Sequence, residues 1–276
     1  MLGSTREVTV RVAGIQFDMA WEDPAANLPR ASSRVADAAA AGARLIVLPE
    51  MFATGFSMAA VEMAAHAEGI RSALAELARR HRVWLLAGYA EPGAERPHNA
   101  CSLMTPDGVE ALHYRKIHPF TLAGEQEHYD AGTTMATADV EGVRVTPTIC
   151  YDLRFPEIYR AAAAGTDLFV VIASWPDRRS FAWRTLLAAR AIDCVAWVLG
   201  VNRIGTDPYS VPHRGDTSLV DPMGQTVETL AWEEGVVVGE VDAERARELR
   251  QRLPFLDDRR PELYRSLAPA LPGARG

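Results

Sequence analysis

The stretch "GVRVTPTICYDLRFPE", residues 142–157, joins an apolar, β-branched segment to a cysteine and then to charged residues, aromatics and a proline. The first part predicts a β-strand that ends on Cys150. Pro156 then suits the first turn of a following helix. Strands followed by helices indicate a layered α/β protein, in which ligands collect beyond the carboxyl ends of the strands. Such a strand end suits a reactive thiol better than an inert, buried one.

The same alternation of strands and helices extends along the chain in both directions. The apolar pattern and turn residues predict strands at residues 8–17, 44–50, 83–90, 166–174, 197–205, 216–224, 225–231 and 235–241. Helices are predicted after the N-caps Asp23 and Asp242 and over residues 69–81 and 181–196. Residues 99–116 predict a hairpin that turns at residues 106–108. Because hairpins interrupt the alternation, we expect a mixed α/β sandwich rather than a wholly parallel sheet.

Residues 1–276 are predicted to form a single domain, since neither a low-complexity linker nor a repeat divides the chain. The tail from about residue 254 to residue 276 is rich in proline and arginine. We expect this tail to pack over the surface or against a partner subunit.

Composition narrows the classes of function. The formal net charge is −7, from 36 acidic against 29 basic residues, and no basic stripe with interleaved aromatics predicts nucleic-acid binding. The N-terminus has no apolar segment of a secretory signal, and no run of about 18 apolar residues predicts a membrane span. The chain has three cysteines, Cys101, Cys150 and Cys194. This low, odd number does not suit a disulfide framework and favours free thiols. These features predict a cytoplasmic protein that binds neither nucleic acid nor membrane.

Three reactive side chains come at the ends of predicted strands. Glu50 follows the apolar segment "LIVLP", Lys116 ends the hairpin, and Cys150 ends its own strand. A carboxylate, an ammonium and a thiol gathered at one sheet edge can serve as base, oxyanion stabiliser and nucleophile in acyl transfer. Taken singly, Glu50 and Lys116 are as compatible with a surface ion pair. The histidines lack a metal-ligand spacing, so neither a metal nor a cofactor is predicted.

Six segments occur in the order typical of one enzyme family: "PEMFATGF", "RKIHPF", "CYDLRFPEIYR", "ARAI", "GVNRIG" and "DPMG". By these motifs, which extend over nearly the whole chain, the sequence resembles the nitrilase superfamily of carbon–nitrogen hydrolases. The segment "CYDLRFPE" is similar to the omega-amidase branch, whereas true nitrilases usually have tryptophan and glutamate after the cysteine. The resemblance implies a four-layer α-β-β-α sandwich with mixed sheets, commonly assembled as a homodimer or a higher homo-oligomer.

The resemblance also implies a catalytic set of Glu50, Lys116 and Cys150, joined by a second glutamate in the loop after the lysine. In the family this glutamate falls seven residues before a glycine. Gly132 is the matching glycine here, which favours Glu125 for the role, and Glu127 is the competing choice. In this interpretation Cys150 forms a thioester with a small linear amide and releases ammonia. Lys116 and the backbone N–H of Tyr151 hold the oxyanion. The start of the helix after Cys150 is expected to favour the thiolate.

The substrate suggested by the resemblance carries a carboxylate, as in the omega-amide of a short dicarboxylic or 2-oxo-dicarboxylic acid. Candidate substrate-binding residues are Phe120, Trp175, Arg178 and Arg179, because an apolar wall edged by a guanidinium can seat a short chain that ends in a carboxylate. One of Arg178 or Arg179 is predicted to contact that carboxylate. Alternative functions are an amidase for a deaminated peptide or an N-carbamoyl compound, and a non-catalytic binding protein on the same fold.

Other conspicuous residues receive structural interpretations. Asp152 and Arg154 are expected to brace the turn after Cys150 through hydrogen bonds, and Arg190 is expected to brace a helix against a loop. Cys101 and Cys194 fall within a predicted strand and helix, where a small buried apolar residue is the usual role of cysteine.

Overall fold

A computed structural model describes residues 8–267 of the chain. Within that range the strands are β1 (Thr9–Gln16), β2 (Leu45–Val47), β3 (Trp84–Glu91), β4 (His98–Met104), β5 (Glu110–Arg115), β6 (Ala138–Val140), β7 (Val143–Ile149), β8 (Leu168–Ala173), β9 (Trp197–Asn202), β10 (Ile204–Thr206), β11 (Pro212–Val220), β12 (Thr226–Ala231) and β13 (Gly235–Asp242). The α-helices are α1 (Pro24–Ala40), α2 (Ala60–Ala64), α3 (Ala67–His81), α4 (Glu125–His128), α5 (Pro156–Ala162), α6 (Ser180–Cys194), α7 (Ala243–Arg252) and α8 (Pro261–Ser266).

The strands form two mixed sheets. The first has the order β13-β1-β2-β3-β4-β5, in which β1, β2 and β3 are parallel and the outer pairings are antiparallel. The second has the order β10-β11-β9-β8-β7-β6, with β7, β8 and β9 parallel and β12 added to β11. Each sheet therefore combines a parallel centre with antiparallel edges, which agrees with the mixed sheets predicted from the interrupted alternation.

Alternation along the strands sorts side chains between two cores. In β1, Val12 points into the core between the sheets, whereas Ala13 and Ile15 face the helices α1 and α3. At Gly14 the sheets approach so closely that a Cβ would lie 2.9 Å from side-chain carbons of Thr217 and Val201. Helices α5 and α6 cover the outer face of the second sheet. The layers are thus helices, sheet, sheet, helices, which confirms the predicted four-layer sandwich.

Local signals in the sequence fix several element boundaries. Asp23 caps α1 by accepting the N–H of Ala26 at 3.0 Å, and Asp242 caps α7 through the N–H of Arg245 at 3.0 Å. The hairpin of β4 and β5 turns at Gly108, whose φ of 75° is left-handed. These three signals act over a few residues, so the sequence alone is sufficient to predict them.

The described part of the tail lies on the molecular surface. Leu256 packs against the main core, and the guanidinium of Arg259 donates to the carbonyl of Arg160. Residues 268–276 of the predicted tail lie outside the described residues. Between residues 8 and 267, no helix is both long enough and apolar enough to traverse a bilayer.

Candidate active site

Cys150 lies in a constrained turn directly after β7. Its φ is 48°, in the left-handed region, and a short 3-10 turn, Cys150–Arg154, leads on to α5. The buried carboxylate of Asp152 holds this turn: it accepts the N–H of Ile149 at 3.0 Å and the hydroxyl of Tyr114 at 2.7 Å. These bonds offset the cost of the unusual φ and fix the direction of the cysteine side chain.

Two further contacts tie the cysteine turn to its surroundings. The other oxygen of Asp152 lies 2.8 Å from Nδ1 of His118 and accepts the N–H of His118 at 3.0 Å, which anchors the loop after Lys116. Arg190, buried in α6, donates from Nε and Nη2 to the carbonyl of Leu153 at 3.1 and 3.0 Å. The bracing predicted for Asp152 and Arg190 is confirmed.

Lys116 lies between two buried carboxylates. Its Nζ is 2.9 Å from Oε1 of Glu50 and 3.1 and 2.8 Å from the two oxygens of Glu125. All three side chains are at least 99% buried, and Nζ also lies 5.1 Å from the centre of the Phe56 ring. The structure thus brings Glu125 to the lysine, whereas Glu127 lies exposed on the outer side of α4.

Asn99 completes this cluster, and the sequence analysis did not identify it. Its Nδ2 donates to Oε1 of Glu50 at 2.7 Å and to Oε1 of Glu125 at 2.9 Å. The backbone N–H of Ser174 donates to the remaining oxygen of Glu50 at 2.7 Å. No local pattern in the sequence marks this residue, because Glu50 and Glu125 come from distant segments that only the folded chain brings to β4.

The charges of the cluster determine how its groups ionise. Burial alone would lower the pKa of Lys116, but the charges of Glu125 and Glu50 outweigh it and raise that pKa above its usual value. Burial raises the pKa of Glu125, which the charge of Lys116 opposes. Lys116 is therefore an ammonium ion across the physiological pH range.

Cys150 carries its proton at rest. Burial raises the pKa of this thiol well above its usual value, and the negative charge of the neighbouring Glu50 raises it further. Lys116 opposes this only in part. The contribution expected from the start of the following helix, α5, stays a prediction, because the net pKa of the thiol is set by burial and the nearby carboxylates.

The thiol opens into a cavity of about 400 Å³ at the carboxyl ends of the parallel strands. Its lining residues are Phe56, Met58, Phe120, Ala123, Cys150, Tyr151, Arg154, Ser174, Trp175, Pro176, Arg178, Arg179, Asp207, Tyr209, Val211 and His213. All four predicted substrate-binding residues belong to this set. The wall formed by the hairpin of β10 and β11 had no recognisable signal in the sequence.

Three arginines border this cavity. The guanidinium of Arg179 lies 5.1 Å above the Phe120 ring, and that of Arg154 lies 5.0 Å above the Trp175 ring. Burial and the positive charges of Arg178 and Arg154 lower the pKa of Arg179. The three guanidiniums therefore lie close enough to interact and make this part of the cavity positively charged. Within residues 8–267, no ion pair joins any of them to a carboxylate. The prediction that Arg154 braces the cysteine turn is wrong: its side chain points into the cavity instead.

No metal site accompanies these groups in the described part of the chain, where no cluster of three or more His, Cys, Asp or Glu side chains has a metal-binding arrangement. The groups that the structure brings together at this site are a thiol, two carboxylates, an ammonium and a positively charged cavity wall.

Comparison with known proteins agrees with this geometry. Residues 11–251 match the model of the carbon-nitrogen hydrolase family. The chain belongs to this family. As a carbon-nitrogen hydrolase it is 31% identical over 257 residues to the 2-oxoglutaramate amidase of Bacillus subtilis, with coverage of 92% of this chain and 98% of the relative. It is also 31% identical over 250 residues to the omega-amidase YafV of Escherichia coli K12, with coverage of 90% and 96%.

A solved structure links the family to a reactive cysteine. In a glutamate-to-glutamine mutant of the amidase from Nesterenkonia sp. AN1, acrylamide has added to the active-site cysteine. That protein superposes on this carbon-nitrogen hydrolase with a TM-score of 0.83 and 27% identity, over 93% of this chain and 99% of its own. The enzyme class is therefore an amidase of the carbon-nitrogen hydrolase family, which confirms the resemblance to the omega-amidase branch.

Proposed function

We propose that this enzyme hydrolyses the omega-amide of a short dicarboxylic or 2-oxo-dicarboxylic acid to the free acid and ammonia, with Cys150 as nucleophile. The observation that carries the proposal is the position of the cavity: one space joins the thiol of Cys150, beside Glu50, to three guanidiniums that pair with no carboxylate of the described residues. The names of the relatives from Bacillus subtilis and Escherichia coli support the same substrate class.

In the acylation step, the sulfur of Cys150 attacks the amide carbon while Glu50 takes the thiol proton. The carbonyl oxygen gains the negative charge. Lys116 has three N–H donors, and its two contacts to Glu125 can share one of them, so one N–H can meet the oxyanion together with the backbone N–H of Tyr151. One such donor is typically worth about 3 kcal/mol in the transition state.

Collapse of this intermediate breaks the C–N bond. Glu50 returns the proton to the leaving nitrogen, ammonia departs, and a thioester remains on Cys150. In deacylation Glu50 takes a proton from water, the resulting hydroxide attacks the thioester carbon, and Lys116 again holds the oxyanion. The acid then leaves, and the sulfur regains its proton from Glu50. Asn99 and Glu125 position Glu50 and Lys116 for both steps through the hydrogen bonds described above.

Ammonia release from a panel of small amides tests this proposal. The panel should contain monoamides of dicarboxylic and 2-oxo-dicarboxylic acids, neutral amides of equal length, and N-carbamoyl compounds, with Cys150→Ala as the blank. We expect turnover of the carboxylate-bearing monoamides. Preference for the N-carbamoyl compounds, or release equal to the blank throughout, would reject the proposed substrate class.

The guanidiniums of Arg178 and Arg179 should decide how tightly the carboxylate end is bound. We expect alanine at one of these positions to raise KM for the carboxylate substrate by about tenfold, because a charge-assisted hydrogen bond is worth about 1.5 kcal/mol or more. The neutral amide of equal length serves as internal reference, and Arg184→Ala, outside the cavity lining, serves as the matched variant. If both alanine variants discriminate between the two amides as the wild type does, the carboxylate is bound elsewhere.

We also propose that the chain acts as one catalytic domain. Two copies are proposed to form a homodimer through the outer face of α6. Phe181 and Ile192 lie on the same face of α6 and are 76% and 49% exposed, so this one helix face presents two large apolar side chains to solvent. Light scattering at micromolar concentration should give twice the chain mass. Phe181→Asp should shift the population toward the monomer. Val61 is 70% exposed on α2, away from this face, so Val61→Asp should leave the population unchanged. A wild-type monomer would contradict this assembly.

The cytoplasm remains the proposed compartment. Cys101, Cys150 and Cys194 are all free and buried. A reducing environment preserves the Cys150 thiol that the proposed mechanism requires.

A further inference from the structure

The two donors proposed for the oxyanion stand on loops that follow different sheets. Lys116 comes directly after β5, whereas Tyr151 lies in the 3-10 turn after β7. The backbone N–H of Lys116 donates to the carbonyl of Asn99 at 2.8 Å, and its carbonyl accepts the N–H of Gly132 at 2.7 Å. Neither bond extends to the cysteine turn. A contact between the two loops is therefore needed to hold the donors at a fixed distance.

His118 makes this contact from the loop after Lys116. Its ring nitrogen Nδ1 lies 2.8 Å from Oδ1 of Asp152 in the cysteine turn, and the same oxygen accepts the backbone N–H of His118 at 3.0 Å. Because a carboxylate only accepts hydrogen bonds, Nδ1 carries the proton and is the donor. The side chain of Asp152 is fully buried, and that of His118 is 26% exposed. The side chain and the backbone of one residue thus bind one buried oxygen.

Stacked rings add a second connection between the same loops. The imidazole of His118 lies 3.7 Å from the Phe155 ring, centre to centre, with 9° between the planes. The Phe155 ring meets the Tyr151 ring edge to face at 5.2 Å, and the Tyr151 ring meets the Phe120 ring at 4.9 Å. Phe120 belongs to the same loop as His118, and its N–H donates to Glu125. The loop therefore contacts the cysteine turn at two positions, His118 and Phe120.

We infer that His118 is a positioning residue of the amidase reaction, which sets the distance between the ammonium of Lys116 and the backbone N–H of Tyr151. This role rests on the proposed function, because the oxyanion forms only in that reaction. His118 is not among the residues that line the cavity, so it acts through the loop and not by contact with the substrate. Its effect falls on the transition state, where the charge on oxygen develops, and not on binding of the uncharged amide group.

Two substitutions of His118 separate the hydrogen bond from the stacked ring. His118→Asn keeps an N–H donor close to the place of Nδ1 and loses the ring, whereas His118→Phe keeps a ring on Phe155 and loses the donor. We expect His118→Phe to lower kcat about tenfold and to change KM by less than about twofold, because a misplacement of about 1 Å can cost about 100-fold in rate. His118→Asn should stay within about threefold of the wild-type kcat, because the donor is kept.

Matched variants separate positioning from a loss of stability. His66→Phe and His66→Asn make the same replacements at an exposed histidine outside the cavity and should leave kcat unchanged. Tyr89→Phe removes a buried hydrogen bond of 2.7 Å to Ser102. It should lower the melting temperature, as His118→Phe does, but without the fall in kcat. Wild-type kcat in His118→Phe overturns the inference, as does an equal loss of kcat in His118→Phe and His118→Asn.

An aldehyde measures the oxyanion site without turnover. The probe is the omega-aldehyde of the same carboxylic acid, in which hydrogen replaces the amide nitrogen. The sulfur of Cys150 adds to the aldehyde carbon, Glu50 takes the thiol proton, and the former carbonyl oxygen occupies the place of the oxyanion. We expect His118→Phe to weaken inhibition by this aldehyde about tenfold, in parallel with kcat. In the Cys150→Ala background, His118→Phe should leave the affinity for the amide itself unchanged by calorimetry.

These measurements distinguish failure of the inference from failure of the proposed function. If the wild type releases ammonia from the carboxylate-bearing monoamides, and His118→Phe matches it in kcat and in aldehyde inhibition, the positioning role is rejected and the reaction stands. If the wild type releases no ammonia but binds the aldehyde more tightly than His118→Phe does, the proposed reaction is rejected and the positioning role stands. Equal aldehyde inhibition without ammonia release rejects both.

Discussion

Cys150→Ala should lower kcat for ammonia release by at least about 10⁴-fold, because removal of a nucleophile in a concerted catalytic set eliminates the covalent route altogether. Alanine keeps the Cβ of cysteine, so the backbone strain at the left-handed φ of 48° is the same in both proteins. The folded structure should therefore survive the change. A single-turnover assay with an isotopically labelled amide checks the mechanism directly, since only the wild type should retain acyl label after rapid denaturation.

The other two cysteines provide the matched controls. Cys101 lies fully buried in β4, and Cys194 lies fully buried at the end of α6, where burial raises the pKa of its thiol to about 12. Neither lines the cavity, so Cys101→Ala and Cys194→Ala should keep most of the activity and lose only packing. Wild-type ammonia release by Cys150→Ala would refute the thioester mechanism, whatever the controls show.

The sequence predicts those parts of the fold that depend on neighbouring residues. Asp23 and Asp242 cap helices, Gly108 turns a hairpin, and an apolar segment ends on Cys150, all within a few positions of the feature they determine. The separation of residues 197–205 into β9 and β10 was not predicted, because it depends on the pairing of β10 with β11.

The parts of the site that the sequence did not reveal depend on distant partners. Asn99 is significant only because β4 brings it between Glu50 and Glu125. Arg154 was assigned to the wrong role because its position beside the cysteine turn does not indicate which way its side chain points. The role of His118 was not predicted either, because its partner Asp152 lies 34 residues further along the chain.

Lys116→Arg should lower kcat/KM by at least about 10³-fold, although it preserves the positive charge. Lys116 places a compact ammonium within 3.1 Å of three carboxylate oxygens. The lysine side chain is 99% buried, and the Phe56 ring lies beside its ammonium. A guanidinium is planar and wider, and its fixed fork of donors cannot contact both glutamates and still direct a donor at the oxyanion. A steady-state assay of ammonia release measures this loss, and near-normal rates would mean that Lys116 serves as a strut between the carboxylates.

Lys116→Met separates the electrostatic role from the geometric one. Removal of the ammonium leaves Glu50 and Glu125 buried without a counterion, which should lower the free energy of unfolding by about 3–5 kcal/mol. Without Lys116 the pKa of Glu125, already raised by burial, should rise further. A carboxyl group whose pKa is higher in the folded than in the unfolded state is destabilising once the pH exceeds the unfolded value, so the deficit should grow as the pH rises from 5 to 7. Urea unfolding of the wild type and Lys116→Met at both pH values measures this difference. A deficit that is the same at both would show that Glu125 does not take up a proton when its counterion is removed.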